Sequence, residues 1–202
     1  MQANTGSGQC GCGAGGCGGD PLKKFESSTI SQLIDHISTR HHAYLKAELP
    51  KIRMQFELVA SKYGDDLPVL QYLFGLYEAF DEEMGRHLLK EEDVLFPILR
   101  KLELSQIAPQ FDFGSIVEPL RALFQDHRGF ESMLTEIQKR TGNFSPPPNA
   151  GSDLVALLES LRNLTEDTAM HSELEDRVLF QKAAEAEARL KGRSTGEVTW
   201  KR

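Results

Sequence analysis

Cysteine is confined to the front of the chain. Cys10, Cys12 and Cys17 are its three cysteines, so everything after them lacks the thiols for a disulfide framework or a thiolate-built structural zinc site. Long apolar runs are also missing. Nothing approaches the ~20 consecutive apolar residues of a membrane span, and the opening residues contain no apolar segment of the kind a secretory signal needs. Clusters of positive charge are absent as well. The 23 Lys and Arg are outnumbered by 30 Asp and Glu, for a formal net charge of −7, and they are scattered, which argues against nucleic acid or an anionic membrane as a partner. Strand-like alternation is missing throughout. The expectation is an all-α protein of the cytoplasm.

The chain has 202 residues, 40% of them apolar, enough for one domain with a full core. Residues 1–24 hold eight glycines before Asp20 and predict a disordered Gly/Cys-rich tail. Residues 25–190 are expected to fold as one unit, and 191–202 to form a polar C-terminal tail. Within the unit, Ser27-Ser28-Thr29 offers N-caps for a first helix reaching about Lys62 and bent at Pro50. Gly64-Asp65-Asp66 makes a turn. A second helix is predicted over 67–95, with Phe96-Pro97 closing or kinking it and Ile98 to Leu104 adding another turn or two. Residues 105–114 form a connection, and a third helix spans 115–140. Thr141 to Pro148 is a firm break, and a fourth helix runs from about Ser152 to Glu185. Four long amphipathic helices with short connections specify an up-down-up-down four-helix bundle.

The most informative pattern occurs twice. His87-Leu-Leu-Lys-Glu91-Glu-Asp-Val-Leu-Phe96 returns eighty-four residues later as His171-Ser-Glu-Leu-Glu175-Asp-Arg-Val-Leu-Phe180, so each half reads His-x-x-x-Glu-x-x-Val-Leu-Phe. On a helix, i and i+4 share a face, so an imidazole and a carboxylate at this spacing converge. One such pair is an ordinary surface ion pair. Two, each set within an apolar stripe where a bundle carries Leu, are buried ionisable groups that need a partner or a metal.

His127 lies on the third helix's stripe, forty-four residues before His171, and His42 lies forty-five before His87. Angular phase at 100° per residue favours the neighbouring His41 instead. The repeat makes His42 the expected ligand with His41 in reserve, and places His36 at the surface or rim. The expected metal set is His42, His87, Glu91, His127, His171 and Glu175, split evenly between two pseudo-symmetric halves. Its imidazoles exclude Mg²⁺ and Ca²⁺. Two glutamates bridging two metals, with two histidines capping each, suit a non-haem di-iron centre, with di-manganese or a mixed pair as alternatives. Together with an oxo or hydroxo bridge, this donor count leaves one open position on each ion, which points to small-molecule chemistry. Glu83 and Asp167, each four residues before a motif histidine, and Asp126 are candidates to accept imidazole N–H groups.

These residues resemble a known family. His42 followed by Leu49-Pro50, the His87 to Pro97 motif, Asp126-His127, the Pro146-Pro147-Pro148 loop and the His171 to Phe180 motif resemble the hemerythrin-like di-iron proteins, in particular the repair-of-iron-centres proteins, over about residues 28–185. The resemblance implies a cytoplasmic di-iron protein of the nitrosative and oxidative stress response. It would help restore damaged iron-sulfur proteins and handle nitric oxide or O₂ at the centre, with Glu91 and Glu175 as bridges. A reversible O₂ or NO binding or sensing protein is the alternative. Family members often carry an N-terminal Cys-Cys-Gly-Gly domain. Here the Cys10-x-Cys12-x4-Cys17 segment stands in that place, either inert or as a soft-ligand arm for iron. Phe180 is followed by Gln181 where the first half has Pro97, so the fourth helix is expected to run on.

Overall fold

The computed structural model describes residues 20–63 and 68–192. Cys10, Cys12 and Cys17, the Gly64-Asp65-Asp66 turn and the end of the C-terminal tail lie outside these residues. Four long helices form the bundle: α1 (30–63), α2 (69–104), α3 (Val117–Arg140) and α4 (152–190). Among the described residues no strand occurs, and none of their helices is long and apolar enough to cross a membrane. A 3₁₀ turn at Lys23–Phe25 precedes α1. There Leu22 is buried in the core, and Asp20 accepts hydrogen bonds from the Leu22 amide and from Arg177. The packed chain therefore reaches back beyond residue 25, because Leu22 supplies the apolar anchor and Asp20 ties its backbone.

The start of α1 is fixed by a capping box, in which the Thr29 side chain accepts from the Gln32 amide and the Gln32 side chain accepts in return from the Thr29 amide, a device worth about 1 kcal/mol. A second cap comes from across the bundle. Glu103 near the end of α2 accepts from the Ile30 and Ser31 amides and from the Ser31 hydroxyl. Eighty-four residues on, Glu187 in α4 does the same for α3, accepting from the Ile116 amide and the Ser115 hydroxyl. Each half thus closes its first helix with a carboxylate from its second.

Each helix lays one apolar stripe inward, and the stripes meet in two separate clusters. One contains Leu45, Phe56, Tyr77, Phe80, Phe130 and Leu161 among others; the second gathers Leu33, Ile37, Leu99, Leu120, Leu179 and Phe180 with their neighbours. Between the two lies a layer of buried polar residues. Pro50 sits inside the Ala43–Tyr63 stretch without ending it.

The departures from α geometry come elsewhere, in π turns at Ile37–His42, Lys90–Leu95 and Glu175–Leu179. Helices α1, α2 and α4 each widen beside the polar layer. Pro97 does not close α2: it falls just after the π turn, at the start of the Phe96–Leu104 stretch, where a missing N–H is tolerated. The fourth helix runs on through Gln181 to Leu190.

Candidate metal centre

All six expected residues are brought together in the polar layer, and none is more than 1% exposed. Their donor atoms form two groups, His42, Glu91, His171 and Glu175 on one side and His87, Glu91, His127 and Glu175 on the other, with all donors of a group within 4.8 Å of one another. Both glutamates belong to both groups. Glu91 turns Oε2 to His42 Nε2 at 3.3 Å and Oε1 to His87 Nε2 at 3.3 Å. Glu175 turns Oε1 to His171 Nε2 and Oε2 to His127 Nε2, each at 3.2 Å. The Nε2 atoms of His42 and His171 are 3.2 Å apart, and those of His127 and His87 3.1 Å. Donors bound at right angles to one ion at about 2.1 Å stand about 3.0 Å apart, so these separations fit the edges of a coordination shell.

Each pocket takes one histidine from each half of the chain. His42 of the first half faces His171 of the second, and His87 faces His127, so neither His/Glu motif forms a pocket alone. The two pockets exchange under the pseudo-twofold relation between the halves, and the glutamates span them.

The four oxygens of Glu91 and Glu175 are buried and accept no hydrogen bond, although each lies within ion-pair distance of an imidazole. Two unshielded carboxylates side by side in a protein interior are strongly unfavourable without positive charge between them. The electrostatics point the same way. Burial disfavours charge on His127 and His87, yet the carboxylates around them win, raising His127 to about 10 through Asp176 and Glu175 and His87 to about 9 through Glu91 and Asp126. Glu175 is correspondingly held well below the usual carboxylate range: burial pushes it up, and His171 and His127 outweigh that. The centre therefore concentrates positive charge, supplied by protons or by metal.

Three imidazoles are oriented from behind. His42 Nδ1 meets Glu92 at 2.9 Å, His127 Nδ1 meets Asp176 at 2.7 Å and His87 Nδ1 meets Asp126 at 3.4 Å. A proton on each Nδ1 leaves the Nε2 lone pair aimed at the centre, the tautomer a metal requires. Each carboxylate is in turn held by a cation at the surface: Lys46 on Glu92, Lys90 on Asp126 and Arg128 on Asp176. Phenylalanines pack on three of the imidazoles. Phe96 stacks on His42 and Phe180 on His127, which gives the closing Phe of each motif its place, and Phe130 meets His87 edge-on.

Sequence reasoning about the carboxylates behind the ligands was partly displaced. Asp126 does accept an imidazole N–H, that of His87 on another helix. Asp167 holds His41 Nδ1 at 3.1 Å and not His171, and Glu83 is exposed. Glu92 and Asp176 were missed. Each directly follows a motif glutamate, so the repeat itself carried the signal. His41 is buried beside the pocket with its ring stacked on His171 at 5.5 Å. His36 is half-buried against Phe25 and His41. The extra residue in the π turn rotates His42, not His41, into the centre, which removes the phase conflict. Twelve residues separate Ile30 from His42 and eleven separate Ile116 from His127; the difference is the residue that turn absorbs in α1, while α3 is α-helical throughout.

Residues 33–183 match the model of the hemerythrin HHE cation-binding domain. Among curated proteins, the chain is 29% identical over 168 residues to the iron-sulfur cluster repair protein YtfE of Escherichia coli O157:H7, spanning 83% of this chain and 72% of that one. The YtfE of Escherichia fergusonii gives the same figures. The family match covers both His/Glu motifs, both single histidines and the four helices that carry them, and the chain belongs to the hemerythrin HHE cation-binding family.

Proposed function

We propose that the centre holds two iron ions, one between His42 and His171 and one between His87 and His127, with Glu91 and Glu175 bridging both, and that the protein serves the repair of damaged iron-sulfur clusters. The observation that carries this reading is the pair of buried, hydrogen-bond-free carboxylates, each offering one oxygen to each imidazole pair. Imidazole with carboxylate, and no thiolate among the six, suits a non-haem iron pair. The likeness to iron-sulfur cluster repair proteins supports the repair role. We place this work in the cytoplasm, with damaged iron-sulfur proteins as partners.

When bound, the two irons would supply one-electron chemistry and open positions for nitric oxide or O₂. The chain's own part is to aim four Nε2 atoms and four carboxylate oxygens at the two positions, the imidazoles giving up any Nε2 proton as a metal enters. Glu92, Asp126 and Asp176 fix the tautomers of three ligands. Phe96, Phe180 and Phe130 keep bulk water from the imidazole faces and lower the local dielectric around the charges.

Anaerobic addition of nitric oxide to the reduced, iron-loaded protein tests the chemistry. A nitrosyl absorbance with N₂O as product supports turnover. A stable nitrosyl that releases nitric oxide unchanged makes the protein a reversible binder. No spectral change contradicts gas binding at the centre. Reactivation of a nitric-oxide-inactivated iron-sulfur enzyme by the iron-loaded protein, but not by free ferrous iron at the same concentration, tests the repair role.

A further inference from the structure

Three of the four pocket imidazoles end in a carboxylate and the fourth does not. His171 is buried, and its Nδ1 has no hydrogen-bond partner among the described residues. The repeat shows what replaced the carboxylate. His42 corresponds to His127, so the residue before it, His41, corresponds to Asp126. Asp126 accepts a hydrogen bond from His87 Nδ1; His41, at the register position the repeat makes equivalent, carries no carboxylate and lays its ring parallel to the His171 ring within 8°. Its own Nδ1 pairs with Asp167 Oδ1, and no carboxylate hydrogen-bonds His171 Nδ1 among the described residues. The buried Thr168 hydroxyl, one turn before His171, also lacks a partner there.

A carboxylate behind a ligand imidazole raises its basicity and fixes its ring, and losing such a partner commonly weakens metal binding about 10- to 100-fold. Any solvent reaching His171 Nδ1 is a neutral acceptor and does not replace that charge. Resting on the dinuclear reading above, we infer that the two metal positions are inequivalent: the ion between His42 and His171 is the exchangeable one, His41 is the positioning residue that makes it so, and the ion between His87 and His127 is the retained one. For a protein that delivers iron, such a division lets one ion leave while Glu91 and Glu175, still held by the other, keep the emptied pocket shaped.

The test uses the full-length protein loaded with ferrous iron under anaerobic conditions and challenged with a ferrous chelator, with iron per chain followed in time. Wild type should start at two irons and lose them in two phases of equal size, the first about 10- to 100-fold faster. His41→Asp combined with Asp167→Asn, which gives His171 the carboxylate that His87 has, should slow the first phase towards the second. Asp126→Ala should accelerate the second phase towards the first. Slower release is a gain that general damage to the fold does not produce. Loss of both irons in one phase, or a first phase unchanged in the double variant, overturns the inference. Should the double variant fail to fold, anomalous diffraction from partly stripped wild-type crystals decides: iron lost first between His42 and His171 supports it, and iron lost first between His87 and His127 overturns it. A wild type that never holds two irons fails at the starting count, which removes the dinuclear reading as well and is distinguishable on that ground.

Discussion

Behind His87 stand Asp126 and, outside it, Lys90; at the register position the repeat makes equivalent, His41 stacks on the face of the His171 ring and is held by Asp167. Almost everything else in the two halves corresponds. Glu91 answers to Glu175, Glu92 to Asp176, Phe96 to Phe180, and Glu103 to Glu187, down to the same Oε1 atom accepting the amides of Ile30 and Ile116. The shared features are those the proposed dinuclear centre and its scaffold would require twice: bridging carboxylates, tautomer-fixing acids, stacked phenylalanines and helix caps. One of the unshared features lies at a single pocket imidazole, His171. A bundle with two equivalent pockets needs only the repeated parts, so the exception at residue 41 marks where the pockets acquire different properties.

The largest effect should come from a part both pockets share. Glu91→Ala and Glu175→Ala each withdraw one oxygen from both ions, so each variant should lose nearly all its iron by elemental analysis, where removal of a group belonging to one pocket leaves the other populated. A full complement of iron in either variant breaks the bridging assignment.

Next come Glu92→Ala and Asp176→Ala, equivalent by the repeat but serving opposite pockets. Each should weaken its own ion about 10- to 100-fold in a chelator competition, and each should do so for one iron of the two. Equal weakening of both irons by either variant would mean that the carboxylates act on the fold and not on one imidazole.

The helix caps give a smaller effect and a pH dependence. Burial alone would raise the Glu103 and Glu187 carboxyls; bonds from Ser31 and the Ser31 and Ile30 amides outweigh this for Glu103, and bonds from Lys191, Ser115 and the Ile116 amide outweigh it for Glu187, holding both below 4.5. Their contribution is therefore fully present above pH 4.5 and is lost as the pH falls through the folded-state values. Glu103→Gln and Glu187→Gln should each reduce stability by about 1 kcal/mol at pH 7 in urea titrations, and the gap to wild type should narrow below pH 4.5. A gap that widens on acidification contradicts the cap assignment. Smallest of all is the effect of removing residues 1–19: a chain starting at Asp20 keeps all six pocket residues and the Leu22 anchor, so its iron content and thermal midpoint should match those of the full chain.

Much of this arrangement was legible in the sequence because it is local. His87/Glu91 and His171/Glu175 are i, i+4 pairs, and helix geometry alone converges them. Interleaved apolar residues set the four helices, and the repeat selected His42 and His127. Three things were not legible. The π turns at Ile37–His42, Lys90–Leu95 and Glu175–Leu179 insert residues that a 3.6 period cannot register, so Pro97 read as a stop or a kink and His41 competed with His42. The pairing of pockets across halves is a property of tertiary packing, and so is the reach of Asp126 to His87 on another helix. Glu92 and Asp176 looked like solvated acids on an acid-rich helix, and only their shared place after a motif glutamate distinguished them. Glu103 and Glu187 carried the same unread signal.

The central claim is that each half contributes one histidine to each of two metal positions spanned by both glutamates. Anomalous diffraction at the iron edge from crystals of the iron-loaded full-length protein tests it most directly. Two peaks of similar height are expected, one between His42 and His171 and the other between His87 and His127, each in contact with an oxygen of Glu91 and an oxygen of Glu175. A single peak, or a peak coordinated by His41 in place of His42, would contradict the account.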